Sequence, residues 1–153
     1  ERLFNIGLLH DIGVSSTREH EHLVTEMQWS GAEAHAVEGS QLLASFEPLA
    51  DYADAVLHHH TPWQYLVEQE DVDARVARDA NLIFMVDRVD ALTAAHYGKD
   101  LMLAIDDIRK QLQGYAGTLF SPELVELFLE VSRGDAFWMM LEPPHLDRFI
   151  NDM

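Results

Sequence analysis

The residues best suited to chemistry in this sequence are histidines and aspartates that interrupt apolar segments. The chain has nine histidines in 153 residues and no cysteine. Imidazole and carboxylate groups suit iron, manganese, zinc and nickel, and a carboxylate can bridge two such ions. Presented from separate helices, such residues predict a metal site inside a bundle. The candidates are the adjacent pair His10 and Asp11, His35, the three histidines at 58–60, and Asp87.

Each candidate also has a structural interpretation. A single histidine such as His35 is more often hydrogen-bonded and partly buried than bound to a metal. Asp87 could pair with Arg88 or Arg78, and the triple histidine could be an exposed helix end, where cations complement the helix dipole. The metal hypothesis therefore rests on finding all four segments in one short chain. The histidines with polar neighbours are predicted to lie at the surface: His20, His22 and His145.

Hydrophobic periodicity predicts that α-helices position these residues. We expect a single-domain, all-α bundle over residues 1–153, because no segment alternates apolar and polar residues as a strand would. The helix over residues 71–96 is apolar around much of its circumference and is predicted to lie at the centre. Residues 14–30 and 61–70 are expected to be irregular. The other helices are predicted over residues 2–10, 31–46, 49–60 and 100–112, from Ser121-Pro122 onward, and over 136–141 and 145–150.

Composition narrows the possible partners. Ten basic residues against 27 acidic ones give a net charge of −17, which argues against nucleic-acid polymers and anionic membranes as partners. No apolar run approaches the roughly 18 residues that cross a bilayer, and no signal peptide is recognisable. We therefore expect a cytoplasmic protein. A phosphate ligand would need local positive charge, and bound divalent metals are its natural source.

The order of these motifs resembles the HD superfamily of metal-dependent phosphohydrolases, and most closely its HD-GYP branch, which hydrolyses cyclic dinucleotides, chiefly cyclic di-GMP. Residues 8–13 are similar to the LLHDIG motif of that branch, and His35 with Gly39 to its next element. The triple histidine resembles the paired-histidine motif. Residues 86–93 resemble the DxxDALT segment, and residues 117–125 the late G-x-x-F-x-P helix start.

The resemblance implies a set of ligands and a reaction. Aligning Trp63 with an aromatic position of the family selects two of the three consecutive histidines, with His58 as the alternative. Asp11 would bridge two divalent transition-metal ions, such as iron or manganese, and would be the catalytic carboxylate. A metal-activated hydroxide would then attack a phosphodiester of a cyclic dinucleotide or related nucleotide. The implied metal ligands are His10, Asp11, His35, His59, His60 and Asp87.

Three positions depart from the family pattern. Val14 stands where the family has a lysine, no GYP signature follows the histidines, and His96 replaces an arginine. Lys99 is then the candidate substrate contact. A catalytically degenerate signalling or interaction module is the alternative function, and a phosphohydrolase acting on another phosphate ester is a third.

The resemblance also bears on what surrounds the domain. It implies a further histidine from an upstream helix and a regulatory receiver or sensor domain, which we expect this chain to lack. A homodimer is also possible. The apolar residues 137–140 would be either its partner surface or, more commonly for such a stripe, part of the core.

Overall fold

The computed structural model describes residues 1–16, 27 and 31–151, and this part of the chain is all-α, as predicted. It contains no β-strand within those ranges, only an isolated bridge between Ala116 and Phe120. The helices are α1 (Arg2–Leu9), α2 (Ala32–Ala44), a 3₁₀ helix (Glu47–Tyr52), α3 (Ala53–Leu57), α4 (Trp63–Leu66), α5 (Ala74–Ala94), α6 (Leu101–Gly114), α7 (Pro122–Val131), α8 (Asp135–Leu141) and α9 (Pro143–Asn151).

Helix α5 is the long central helix that the sequence predicts. Its N-terminus is capped by Asp73, whose carboxylate accepts hydrogen bonds from the backbone N–H groups of Arg75 and Val76. Such a cap satisfies N–H groups that have no partner within the helix. Its side chains contribute to both hydrophobic clusters of the protein. The side chain of Val86, in contrast, is 54% exposed, although the apolar residues next to it in the sequence suggested that it would be buried.

The smaller hydrophobic cluster holds the N-terminal helices together. Ile6 of α1, Leu43 of α2, Val56 of α3 and Ile83 of α5 are all at most 7% exposed. Small residues at helical spacing line the buried face of α2, so its backbone can approach its neighbours closely. An ion pair between Arg2 and Asp79, 2.7 Å long, adds a polar link between α1 and α5.

The segment after α2 differs from the single helix predicted over residues 49–60. It begins as the 3₁₀ helix, continues as the short α3, and ends in a turn that contains all three consecutive histidines. A short helix, α4, lies where residues 61–70 were predicted to be irregular. The directions of the three histidine side chains therefore follow from turn geometry and packing. They are not spaced about 100° apart, as successive residues of an α-helix are.

The larger hydrophobic cluster joins α5 to the C-terminal helices. The buried Asn81 of α5 fixes the turn that precedes α7: its amide donates to the Leu119 carbonyl and its oxygen accepts from the backbone N–H of Ser121, both at 2.8 Å. Helix α7 begins at Pro122, as predicted, although the Ser121 side chain makes no capping hydrogen bond.

The apolar residues near the C-terminus are divided between core and surface. Trp138 is 1% exposed and donates its indole N–H to the Ser132 carbonyl, whereas Met139 and Met140 are exposed. His145 lies at the surface as predicted, while His20 and His22 fall outside the described residues. Among the helices of the described ranges, none has the length and apolar character needed to cross a membrane.

We predict that Asn81→Ala lowers the free energy of unfolding by about 2 kcal/mol, because it leaves the buried backbone N–H of Ser121 without its partner. It also removes one of the two hydrogen bonds that the Leu119 carbonyl accepts, the other coming from the Trp63 N–H. Urea denaturation followed by circular dichroism measures this change. The exposed Gln111 of α6 provides the control, and Gln111→Ala should stay within about 0.5 kcal/mol of the parent. Equal stability of the two variants would contradict the role given to Asn81.

Candidate metal centre

The predicted His-Asp pair lies at the end of α1, where the chain turns toward α2. The Nδ1 of His10 is 2.7 Å from the Gly7 carbonyl oxygen, to which its N–H donates, so Nε2 is directed away from the helix. That Nε2 lies 3.4 Å from Asp11 Oδ2. A hydrogen bond from one ring nitrogen to a backbone carbonyl is the usual way in which a metal-binding histidine is oriented. His10 is therefore held in a conformation suitable for a ligand.

Two glycines bring this turn against α2. A Cβ added at Gly13 would lie 2.1 Å from the His35 carbonyl oxygen and 2.5 Å from the Gly39 nitrogen. A Cβ at Gly39 would lie 3.3 Å from the Gly13 nitrogen. Neither glycine has a positive φ, so close packing, and not backbone conformation, requires them. This contact sets the distance between Asp11 and His35.

Asp11, His35, His59 and His60 form a compact cluster in which one potential ligand atom from each residue lies within 4.8 Å of all the others. His35 Nε2 is 3.4 Å from Asp11 Oδ1 and 3.2 Å from His59 Nε2. The ring of His60 packs edge-on against Phe84 of α5, with 5.3 Å between ring centroids. Among the described residues this is the one group of at least three such side chains whose potential ligand atoms all lie this close to one another.

Burial favours the neutral, metal-binding form of His59 and His60. Burial is the main cause that lowers the pKa of His59, to about 3, and neighbouring His10 and His35 lower it further. Burial and the adjacent His59 also hold the pKa of His60 far below its usual range. The Nδ1–H of His59 donates to the Val56 carbonyl at 2.5 Å, so the lone pair of the neutral ring is on Nε2. The unprotonated Nε2 of His59 thus lies 3.2 Å from His35 Nε2, inside the cluster.

The Asp11 carboxylate is ionised and faces imidazoles on both sides. Burial opposes ionisation, but contact with His35 and the charges of His10 and His59 together lower the pKa of Asp11. Its Oδ1 faces His35 and His59, and its Oδ2 faces His10. Asp11 Oδ1 and His60 Nε2 are also buried with no hydrogen-bond partner among the described residues. Buried polar atoms usually have partners, and a divalent cation would supply one for both.

Asp87 completes the other side of the centre. It projects from α5, with Oδ1 3.9 Å from His10 Nε2. Its Oδ2 accepts hydrogen bonds from the neighbouring Arg88, at 3.1 Å from Nε and 2.7 Å from Nη2. Burial raises the pKa of Asp87, and the charge of Arg88 opposes that effect. The ion-pair interpretation and the metal-ligand interpretation of Asp87 are therefore compatible, because this residue pairs with Arg88 and also faces the candidate centre.

The six predicted metal ligands therefore converge, whereas two other candidates do not join them. His58, the alternative histidine, lies outside the cluster; burial is the main cause that lowers its pKa, and the charges of Asp54 and Asp71 oppose that effect. Lys99 is exposed and donates a 3.5 Å hydrogen bond to the Ala95 carbonyl. It lies beyond the end of α5, itself about 10 Å along the helix axis from Asp87. A substrate contact by Lys99 stays a prediction.

Arg88 is the residue of this region whose importance the sequence interpretation underestimated. It is only 3% exposed, so its guanidinium is one of the few buried charges of the described chain. The available signal was its position directly after a candidate ligand, inside an otherwise apolar helix segment. That signal is weak, because an arginine at such a position is equally compatible with an exposed helix face.

Comparison with known proteins identifies the class to which this fold and centre belong. The HD domain family matches residues 1–95, which include every candidate ligand. The chain is therefore a member of the HD domain family.

A characterised relative is the 3'3'-cGAMP-specific phosphodiesterase 1 of Vibrio cholerae serotype O1 (strain ATCC 39315 / El Tor Inaba N16961). It is 34% identical to this chain over 149 residues, or 95% of the chain. The chain spans only 34% of the length of that relative. No solved structure matches the chain significantly.

We predict that Gly13→Ala disrupts the centre, because the added methyl group would overlap the His35 carbonyl. Overpacking of this kind costs about 2 kcal/mol or more, and the turn bearing Asp11 would have to move away from α2. Thermal unfolding and the metal content after dialysis against Mn²⁺ measure the two effects.

Gly7→Ala, in the helix α1 that precedes this turn, is the matched control. A Cβ at Gly7 meets only Ile83 Cδ1, at 3.8 Å, an ordinary contact, and alanine is the better helix former by about 0.5–1 kcal/mol. Gly7→Ala should therefore be neutral or stabilising. If Gly13→Ala behaved in the same way, the close contact would not position the centre.

Proposed function

We propose that this chain is the catalytic domain of a metal-dependent phosphodiesterase of the HD-GYP type that hydrolyses a cyclic dinucleotide, with 3′3′-cGAMP as the first candidate and cyclic di-GMP as the second. The observation that carries this proposal is the convergence of two aspartates and four histidines on one partly buried centre. The similarity to a phosphodiesterase named for 3′3′-cGAMP favours that substrate class. We further propose that residues 1–153 form one domain of a longer protein.

The arrangement of donors supports two metal positions that share Asp11. One position would take Asp11 Oδ1 with His35, His59 and His60, and the other would take Asp11 Oδ2 with His10 and Asp87. The two oxygens of a carboxylate can bind two ions, and mixed nitrogen and oxygen donors suit iron, manganese or zinc. Asp11 is thus proposed as the bridging ligand.

Each part of the centre would have a distinct task in the reaction. Divalent ions, when bound, make water more acidic and offset the charge of the reacting phosphate. The Asp11 carboxylate would keep the two positions together, and its low pKa keeps it ionised for that purpose. The backbone hydrogen bonds of His10 and His59 would fix their ring orientations, so that little rearrangement is needed in the reaction.

With a net charge of −17, bound cations are the natural source of the positive charge that this chemistry requires. A cyclic dinucleotide carries two phosphate charges, which an acidic protein repels. Val14 offers no cation next to the His-Asp pair, and Lys99 lies outside the cluster. This shortage of basic side chains is also what favours the second candidate function, a domain that retains the bundle and its metal centre for signalling without turnover.

The first test is hydrolysis by the purified, manganese-loaded protein. We expect cleavage of 3′3′-cGAMP, or of cyclic di-GMP, to be faster than cleavage of linear pGpG or bis(p-nitrophenyl) phosphate, as measured by chromatography of the products. Asp11→Asn should lower the rate at least about a hundredfold, since loss of an outer-shell partner alone costs roughly ten- to hundredfold. Asp106→Asn, at an exposed position of α6, is the control and should retain the parent rate.

Protein that binds metal but cleaves none of these compounds would favour the signalling module. Faster cleavage of the simple phosphodiester than of either cyclic dinucleotide would favour a phosphohydrolase of different specificity.

The second test concerns which of the three consecutive histidines bind metal. A ligand that binds only the folded protein at a hundredfold its Kd stabilises it by about 2.7 kcal/mol. We expect Mn²⁺ to raise the free energy of unfolding of the parent and of His58→Ala by about that amount, and that of His59→Ala by much less. Comparing each variant with and without Mn²⁺ removes any difference in intrinsic stability. Loss of the Mn²⁺ effect in His58→Ala alone would contradict the assignment.

A further inference from the structure

A cavity of about 310 Å³ opens between α4, the first turns of α5 and the start of α7. This volume is at the lower end of the range that small-molecule sites have. None of the described residues that line the cavity is a candidate metal ligand. The cavity is therefore a feature of the fold that the proposed phosphodiesterase chemistry does not use.

Hydrogen bonds hold the walls of this cavity in place. The backbone N–H groups of Trp63 and Gln64 donate to the carbonyls of Leu119 and Thr118, both at 3.0 Å, and so join α4 to the turn before α7. The buried Asn81 joins the same turn to α5. The three walls are thus connected to one another in the absence of any ligand, and such preformed cavities are typical of small-molecule sites.

The Ser121 hydroxyl is an unpaired polar group in the wall of the cavity. Ser121 is only 6% exposed, and its side chain makes no hydrogen bond within the described residues, not even as a cap of α7. The hydroxyl is nevertheless not one of the unpaired side-chain atoms that are sealed from solvent. It therefore reaches the open space that Ser121 lines, which is the cavity. Because buried polar groups usually have a partner, this hydroxyl indicates a ligand there.

The first turn of α7 adds backbone donors to the same wall. Pro122 has no N–H, and the first N–H of this helix with a carbonyl partner is that of Val125, which donates to Ser121 at 3.0 Å. The N–H groups of Glu123 and Leu124, two residues that line the cavity, have no hydrogen-bond acceptor in the described ranges. Such free N–H groups at a helix N-terminus favour an anion.

The side chains around these donors define the rest of the ligand. Arg78 lines the cavity, and its guanidinium forms no ion pair or hydrogen bond in the part of the chain that the structure describes. The carboxylate of Glu123 repels a ligand with two negative charges more than a ligand with one. The half-buried Trp63 and the buried Leu66 supply an apolar wall. A singly charged anion with an apolar body satisfies all of these groups.

We propose that this cavity is a binding site for a small aromatic monocarboxylate. The carboxylate of the ligand would accept hydrogen bonds from the Ser121 hydroxyl and from the N–H groups of Glu123 and Leu124, and would pair with Arg78. Its ring would pack against Trp63. The cavity has the volume of roughly ten water molecules, which suits one ring with a carboxylate and is far less than a cyclic dinucleotide occupies. The site is therefore distinct in ligand class from the metal centre.

Fluorine NMR of 4-fluorobenzoate with the purified protein, loaded with the diamagnetic Zn²⁺, tests the proposal. We expect saturable binding with a dissociation constant in the millimolar range or below, as is usual for so small a ligand. The uncharged 4-fluorobenzamide has the same ring and should bind at least about tenfold more weakly, because hydrogen bonds to charged groups are the stronger ones. Phenyl phosphate, which carries nearly two charges, should displace 4-fluorobenzoate less effectively than benzoate does.

Four variants locate the site. Arg78→Gln should weaken binding of 4-fluorobenzoate about tenfold and Ser121→Ala about threefold, because each removes a partner of the carboxylate. Arg75→Gln is the matched control for the loss of a positive charge: Arg75 is an exposed residue of α5 that does not line the cavity, and its replacement should change binding by less than about twofold. Ala74→Phe, at an exposed position of the wall, should abolish binding by filling the cavity without disturbing the core.

Three results would overturn the proposal. The first is equal binding of 4-fluorobenzamide, or unchanged binding in both Arg78→Gln and Ala74→Phe. The second is tighter binding of phenyl phosphate, which would contradict a monocarboxylate as the ligand. The third is binding that is lost in Asp11→Asn and retained in Arg78→Gln, which would place the anion at the metal centre. Every readout is binding, so failure of this site and failure of the proposed hydrolysis are separate results.

Discussion

The centre depends on the close approach of two backbones at Gly13 and Gly39. This contact leaves no space for a side chain at Gly13, where a Cβ would lie 2.1 Å from the His35 carbonyl. It holds the turn that carries Asp11 against the helix that carries His35, and so decides whether a carboxylate and an imidazole meet. The His-Asp-Ile-Gly stretch thus combines chemical residues with the glycine that positions them, because both tasks must be met within one turn of chain.

Burial then gives the assembled groups their chemical character. The imidazoles of His35 and His59 are fully buried, and at His59 burial lowers the pKa and so disfavours the charged form. Neutral His59 and His60 lie close to the ionised carboxylate of Asp11, and neutral imidazole and ionised carboxylate are the forms that bind metal. The hydrophobic packing that stabilises the bundle is therefore also what prepares the histidines as ligands. Phe84 shows this dual role, since it belongs to the larger hydrophobic cluster and supports the ring of His60.

The long helix α5 links the candidate metal centre to the two hydrophobic clusters. Ile83 packs in the smaller hydrophobic cluster, Phe84 and Met85 in the larger one, and Asp87 faces the candidate centre. These four residues, which together with the exposed Val86 span five positions, thus have three different environments. This is why the segment is apolar around most of its circumference. Membership of the HD domain family accounts for the order of these features along the chain.

The sequence alone predicted most of the helical architecture, because the periodicity of apolar residues and the helix start at Ser121-Pro122 are local properties. It also determined which residues could bind metal, since that depends on residue type. Only the tertiary structure decided that His59 and His60, and not His58, face Asp11, because the segment ends in a turn whose direction is set by contacts with α2 and α5. The position of Lys99 outside the cluster was likewise decided by the tertiary structure. The pairing of Asp87 with its chain neighbour Arg88, in contrast, was one of the pairings that the sequence suggested, and the structure selected it. Local patterns carry no information on which neighbours a side chain meets.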